Sequence, residues 1–565
     1  AAPVHTLEPG KITRGAWALA RTLMDRGVCV IDGYIGVDWD GLRAELSAML
    51  VEAGAQVRWL DVREALKPAA EIEALVEPYL GGSDPVFGRR HPGALADLYD
   101  SAALARLRPA PDGVSILYGC GAALAGWQAF TAYVELPKDT IQHRAKAGAA
   151  TNLGRVAPEN AKAMYKRFYF VDWPLLNRHK QELLPRIDLV IDGQRTRDPS
   201  FMAGDDLREE LGRMSRGCVR ARPWFTPGPW GGQWLKEIVP QLPQDVPNYA
   251  WSFELIAPEN GLTMESGGER LEVAFDCLMF HAAEAVLGAH AERFGTDFPI
   301  RFDYLDTMGG GNLSVQVHPR PDYIREEFGE PFTQDETYYL VDCEPGAVVY
   351  LGFQDGVDPA EFRARLEESA AAGTPVAVEK FVRTFPAERH GLYLIPHGTI
   401  HCSGAGNVVL EVSATPYIYT FKMYDWLRLD LDGKPRPLNV ARAFDNLNFD
   451  RQGQEAESLV SRPALIDEGP GWKIVHLPTH KDHFYDLHRV ELESAVELVT
   501  DASPNVLAVV EGGPVRLRTA EGDVVCRFAE TYVVPAAAGR YELVNEGRGE
   551  AKIVKAFLKP LAGAS

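Results

Sequence analysis

Residues 313–319 read Leu-Ser-Val-Gln-Val-His-Pro, with apolar and polar residues in strict alternation. In an extended strand alternate side chains share a face. Ser314, Gln316 and His318 therefore point one way, while Leu313, Val315 and Val317 pack behind them. Three polar groups on an inward face need partners, because each one left unpaired away from water costs roughly 2 kcal/mol or more. A metal ion would satisfy Gln316 and His318 together.

Two further segments supply ligand types that match. In Asp335-Glu336-Thr337-Tyr338-Tyr339, Glu336 opens an apolar strand that runs on through Leu340 and Val341. Residues 394–401, Leu-Ile-Pro-His-Gly-Thr-Ile-His, make a tight Pro-Gly turn into the strand that carries His401. Two imidazoles, a carboxylate and an amide oxygen on separate strands suit Zn²⁺ and leave room for a water or a substrate. A lone histidine on a strand is more often a hydrogen-bonded structural residue, so neither His318 nor His401 carries this reading singly. His397, inside the Pro-Gly turn, reads as a loop residue.

The surroundings of these segments are strand-rich. Between 249 and about 414, turns fall at Pro258-Glu259-Asn260-Gly261 and at Asp355-Gly356, with helical insertions near 275–294 and 359–372. Residues 471–560 are strand-rich again, and such patterns predict barrels or jelly rolls. His476, His480, His483 and His488, near the start of that stretch, read as solvent-facing or structural. Residues 10–217 differ. Apolar strands at 28–33, near 59–61, and at 114–119, 130–135 and 189–193 alternate with helical stretches such as 17–24 and 42–51. That order predicts a mostly parallel sheet covered on both faces. A Pro-, Gly- and Trp-rich linker spans 220–232.

The expected architecture is multidomain α/β plus β. It comprises an α/β domain at 1–217, a metal-binding barrel with a helical insertion at 221–455, and a small C-terminal β-barrel at 456–565. Formal charge is −21, from 58 basic and 79 acidic residues, which argues against a nucleic-acid partner. The seven cysteines are scattered without a CxxC pair, as suits reduced cytoplasmic thiols. The reading includes no signal peptide, no membrane span and a cytoplasmic location.

Beyond single residues, 221–450 resembles the catalytic part of a type I, zinc-dependent phosphomannose isomerase, a cupin-fold family. The motifs occur in the family's order: Pro229-Trp230-Gly231-Gly232; Trp251-Ser252-Phe253-Glu254-Leu255 followed by Glu259-Asn260-Gly261; 313–319; 395–401; and Tyr424-Asp425-Trp426. Residues 471–560 are similar to the family's small C-terminal barrel. The resemblance implies one Zn²⁺ per chain on Gln316, His318, Glu336 and His401, with Ser314 and Glu254 lining the substrate pocket. It implies interconversion of an aldose and a ketose phosphate, mannose 6-phosphate and fructose 6-phosphate by preference, through an enediol. Glu411 is either the proton-transfer base or a structural carboxylate paired with Lys or Arg. Two positions depart from the family pattern: Gln334 stands where it has Lys, and Lys422 where it has Arg. Lys422 joins the catalytic candidates, although a lysine lacks the planar fork of an arginine.

The N-terminal part is weakly similar to a P-loop nucleoside or uridine kinase over 11–194. The similar pieces are Asp84-Pro85-Val86-Phe87-Gly88-Arg89-Arg90, Tyr133-Val134-Glu135-Leu136-Pro137 and residues 167–174. The GxxxxGK[ST] pattern is absent, and Asp38 and Asp40 stand where a Lys and a hydroxyl would meet a nucleotide. Two readings stay open: a degenerate P-loop-kinase-like domain serving structure, regulation or sensing, or a sugar kinase with Arg89, Arg90 and Arg144 around a phosphate. The whole chain is expected to be a zinc-dependent sugar-phosphate isomerase. The alternatives are a non-catalytic sugar-phosphate-binding protein and a bifunctional kinase–isomerase with a nucleotide at its N-terminal domain.

Overall fold

Five strands, Val28–Gly33, Val57–Asp61, Val114–Tyr118, Phe130–Glu135 and Leu189–Asp192, pair in parallel. Across the sheet they lie in the order second, third, first, fourth, fifth, and the antiparallel strands Ser200–Ala203 and Ile12–Arg14 extend the edge beside the fifth. All five fall where the apolar runs predict them. The reason is burial: Leu19, Leu23, Leu42, Leu46 and Leu50 of the helices Ala16–Arg26 and Trp39–Glu52 pack on Cys29, Ile31, Ile116, Val134 and Ile191. Each such leucine contributes about 1.5–3 kcal/mol.

The loop after the central strand is built differently from a phosphate cradle. Asp32 accepts from the backbone N–H of Gly33 (2.7 Å), Gly121 (2.9 Å) and Ala123 (2.8 Å), and it lies 2.8 Å from His179 Nε2. Asp38 caps the helix Trp39–Glu52 by accepting from Gly41 N, and Asp40 sits in its first turn. Carboxylates thus hold the amides that would face an anion, which gives no support to a P-loop there. Arg144 donates to the carbonyls of Gly36, Gly193 and Gln194 and so ties loops together.

The computed structural model describes residues 3–561. They fall into two compact units, one of 3–214 with 258–283, the other of 215–257 with the residues from 284 onward. The hairpin Gly261–Ser266 and Glu269–Ala274 therefore belongs with the parallel sheet rather than with the barrel strands that flank it in sequence, and its first strand pairs with His5–Thr6. Buried ion pairs made far along the chain hold this unit: Lys138 to Asp276 (2.8 Å) and Lys180 to Glu135 (2.9 Å). Near its end the helix Asp276–Leu287 is interrupted at Ala282.

The second unit is antiparallel. One sheet orders the strands Leu392–Ile395, Glu336–Cys343, Asn407–Ala414, Ile300–Asp306, Trp251–Leu255 and Trp224–Thr226. Another orders Val382–Pro386, Val348–Phe353, His401–Ser403, Val315–Val317 and Phe421–Tyr424. The predicted helical insertion is present at Pro359–Ala372, capped by Asp358. The remaining strands, from Ala464–Gly469 to Ala551–Leu558, form a six- and a four-stranded sheet around Val490, Leu507, Val515, Tyr541 and Ile553. Among the described residues no helix is long and apolar enough to cross a membrane.

Candidate metal centre

Sheet register brings the sequence-predicted ligands together. Gln316 is paired across one neighbour with His401 and across the other with Lys422. Glu336 opens its strand opposite Ser413, in the facing sheet. His318, Glu336 and His401 are each no more than 1% exposed, and one ligand atom from each lies within 4.8 Å of the other two. His318 Nε2 is 2.8 Å from a Glu336 oxygen, His401 Nε2 is 3.6 Å from the other, and the Gln316 amide nitrogen is 3.2 Å from His401 Nε2. A half-turn of that amide presents its oxygen instead.

The outer contacts fix how these rings are presented. His318 Nδ1 is 3.1 Å from Tyr419 O, and His401 Nδ1 is 2.9 Å from Thr399 O. A carbonyl only accepts, so each Nδ1 carries the proton and each Nε2 turns its lone pair inward, as in metal-bound histidines. Burial raises the Glu336 carboxyl, but His318 and His401 outweigh that and bring it down to about 2, so it is ionised at neutral pH. Burial pushes His401 down to about 4, so its ring is neutral there. His318 Nε2 and Glu336 Oε1 are buried without a hydrogen-bond partner. Orphaned lone pairs converging on one point are costly unless a cation meets them. The group fits a metal ion.

His397 stands outside this group. Its Nδ1 lies 2.9 Å from Asp335, whose carboxylate also accepts from the His397 backbone N–H. Gln334 donates to Glu336 at 3.3 Å and so supports the ligand rather than supplying a charge.

The other predicted site residues separate into three positions. Lys422 flanks Gln316 in register. Ser314 donates to Asp425 (2.9 Å) and accepts from Arg436 (3.1 Å). Glu411 is ion-paired with Arg301, which also reaches Asp303 (3.2 Å) and Ser413 (2.8 Å). Burial lifts Asp303 to about 6 against the pull of Arg301. Glu254 lies elsewhere. Register shifts between Phe253 and Leu255, and Glu254 accepts from Ser252, which pairs with Tyr304 on the face opposite Asp303 and Glu411. Burial raises its pKa against the charge of Arg220. Arg301, Asp303, Arg428 and Arg436 were not singled out in sequence, and Asp425 entered only as part of the Tyr424-Asp425-Trp426 motif. The alternation Arg301-Phe302-Asp303 within an apolar strand is a signal that marks the first two.

Comparison with known proteins places the chain further. Residues 15–216 match the model of a domain of unknown function (DUF8485), which lends no support to a kinase likeness. Mannose-6-phosphate isomerase of Streptococcus mutans is 28% identical over 250 residues, covering 41% of this chain and 72% of the relative. Mannose-6-phosphate isomerase ManA of Bacillus subtilis is 23% identical over 335 residues, 59% of this chain and 94% of the relative. The crystal structure of the Bacillus subtilis mannose 6-phosphate isomerase aligns with a TM-score of 0.47 at 19% identity, over 60% of this chain and 99% of that one. Over some 59% of its length, then, the chain is a homologue of the mannose-6-phosphate isomerases.

Proposed function

We propose that this chain is a zinc-dependent aldose–ketose isomerase that interconverts mannose 6-phosphate and fructose 6-phosphate in the cytoplasm. The observation that carries the reading is the buried His318–Glu336–His401 group, with both Nε2 atoms turned inward and with His318 Nε2 and Glu336 Oε1 left without a hydrogen-bond partner. We assign the chemistry to a cupin domain at 221–455 without the segment 258–283, which belongs with the α/β domain at 1–217, and set a small barrel at 456–565 after it. Gln316, His318, Glu336 and His401 would hold the ion. When bound, zinc would supply positive charge for the negative charge that develops on substrate oxygen.

The remaining work falls to side chains. Isomerisation moves a proton between C1 and C2 through an enediol, while the carbonyl moves the opposite way. Lys422, beside Gln316 in register, is assigned to proton transfer. Glu411 is assigned a positioning role. Locked to Arg301, it keeps that buried guanidinium neutralised on the wall that also carries Glu336 and Ser413. Ser314 is assigned to the substrate, and Glu254 to the support of its own sheet.

Metal analysis of the purified full chain tests the assignment. One zinc per chain is expected, with His401→Ala losing both the metal and turnover. Full turnover in a metal-free His401→Ala protein would contradict it.

A further inference from the structure

In the small C-terminal barrel, Val490, Leu507, Val509 and Ile553 of the six-stranded sheet lie on the face that makes the apolar core. Period-2 alternation carries that face onward, from Ile553 to Lys555 and Phe557, and from Val490 to His488 and Asp486. Register sets these residues side by side. Lys555 pairs with His488 on one neighbour and with Leu507 on the other, and His488 pairs in turn with His476. One end of the core face is therefore polar. The row runs inward from the His476 side chain, 31% exposed, to Lys555, 7% exposed.

The outer pair is satisfied. His476 Nε2 lies 2.9 Å from Asp486, which also accepts from the backbone N–H and the hydroxyl of Thr479. The inner pair is not. Among the described residues neither Lys555 nor His488 makes a side-chain hydrogen bond or an ion pair, and His488 Nδ1 is buried. The Lys555 amine meets an aromatic ring instead, 5.0 Å from the centre of Phe557, and that ring meets His488 edge-on at 4.7 Å. Burial lowers the pKa of Lys555 against the distant pull of Asp501. Burial, helped by the charges of Lys555 and His476, brings His488 down to about 4, so its ring is neutral at pH 7.

A buried ammonium without a counter-ion is costly, and an anion removes that cost. Directly opposed residues on antiparallel strands have Cβ atoms roughly 5 Å apart, close enough for one carboxylate to meet the amine and the Nδ1–H tautomer of His488 together. Phe557 and Leu507 supply apolar surface for a short carbon tail. A phosphate dianion fits less well, because a second negative charge would face Asp486 and Asp501 with no guanidinium fork to match it. We propose that Lys555 and His488 form a binding site for a small aliphatic carboxylate at the polar end of the small barrel, separate from the metal centre.

Calorimetric titration of the zinc-loaded full chain with butyrate, repeated with inorganic phosphate, tests the site. Butyrate is expected to bind with a Kd on the order of 1 mM or below. Lys555→Met should weaken it by at least about 10-fold, and His488→Phe by about 3- to 10-fold, with zinc content unchanged in both. Should Lys555→Met fail to fold, His488→Phe carries the test, together with protection of Lys555 from acetic anhydride by butyrate, read on the wild type by peptide mass spectrometry. Butyrate held by zinc instead would bind both variants as it binds the wild type. That result would overturn the site, as would wild-type protein that binds no butyrate. Lys555-dependent binding of phosphate in preference to butyrate would overturn the carboxylate assignment.

Discussion

His401 is prepared for a metal by a residue two positions before it. The carbonyl of Thr399 accepts a hydrogen bond from Nδ1, and Tyr419 O does the same for His318. Removing either ring should lower bound zinc below one per chain and cut turnover by at least about 100-fold, read by elemental analysis and steady-state kinetics. Lys422→Met should keep the zinc and lose about 100-fold or more in kcat. Glu411→Gln should act mainly through stability, by leaving Arg301 with less countercharge inside the sheet. A loss of about 3 kcal/mol in urea unfolding is expected, with a smaller loss of kcat than for Lys422→Met. The ligand residues were legible because period-2 alternation puts Gln316 and His318 on one face whatever the fold around them. Glu254 entered through the family resemblance alone, and the register shift beside it was not legible, because a bulge leaves no mark in these residues. The Arg301–Glu411 pair joins residues on strands more than a hundred positions apart, so the sequence offered a Lys or Arg partner for Glu411 without naming Arg301.

At the scale of elements, the parallel strands were legible because each is an apolar run buried on both sides, as Val114–Tyr118 is throughout. The membership of the hairpin 261–274 was not, since it depends on partners such as Lys138 and Asp276 that only the fold brings together. Asp32 holds the end of the central strand to the turn at Gly121–Ala123. Asp32→Ala should leave those amides unpaired and destabilise the chain by about 3 kcal/mol or more, read by urea unfolding. His483, which sequence left as solvent-facing or structural, is 1% exposed, stacks on Tyr485, and has both ring nitrogens without partners. Burial pushes it down to about 3. A histidine depressed in the folded state binds its proton more readily when unfolded. Its contribution is therefore complete above the unfolded value near 6.5 and is lost as pH falls from there toward about 3. Urea midpoints between pH 7 and 4 should fall more steeply for the wild type than for His483→Phe. Equal slopes would remove His483 from the acid response.

For the whole molecule, the central claim is that the buried His–Glu–His group makes this chain a metal-dependent isomerase of sugar phosphates. The net charge of −21 sets no obstacle to an anionic substrate, because Arg428, Arg436 and Lys422 set the local field near Ser314 and Gln316. The most direct measurement is the rate of interconversion of mannose 6-phosphate and fructose 6-phosphate by the purified full chain, before chelation, after it, and after zinc is returned. The account predicts turnover that disappears with the metal and comes back with zinc. Turnover that survives complete removal of metal, or a zinc-loaded protein that leaves both sugar phosphates unchanged, would contradict it.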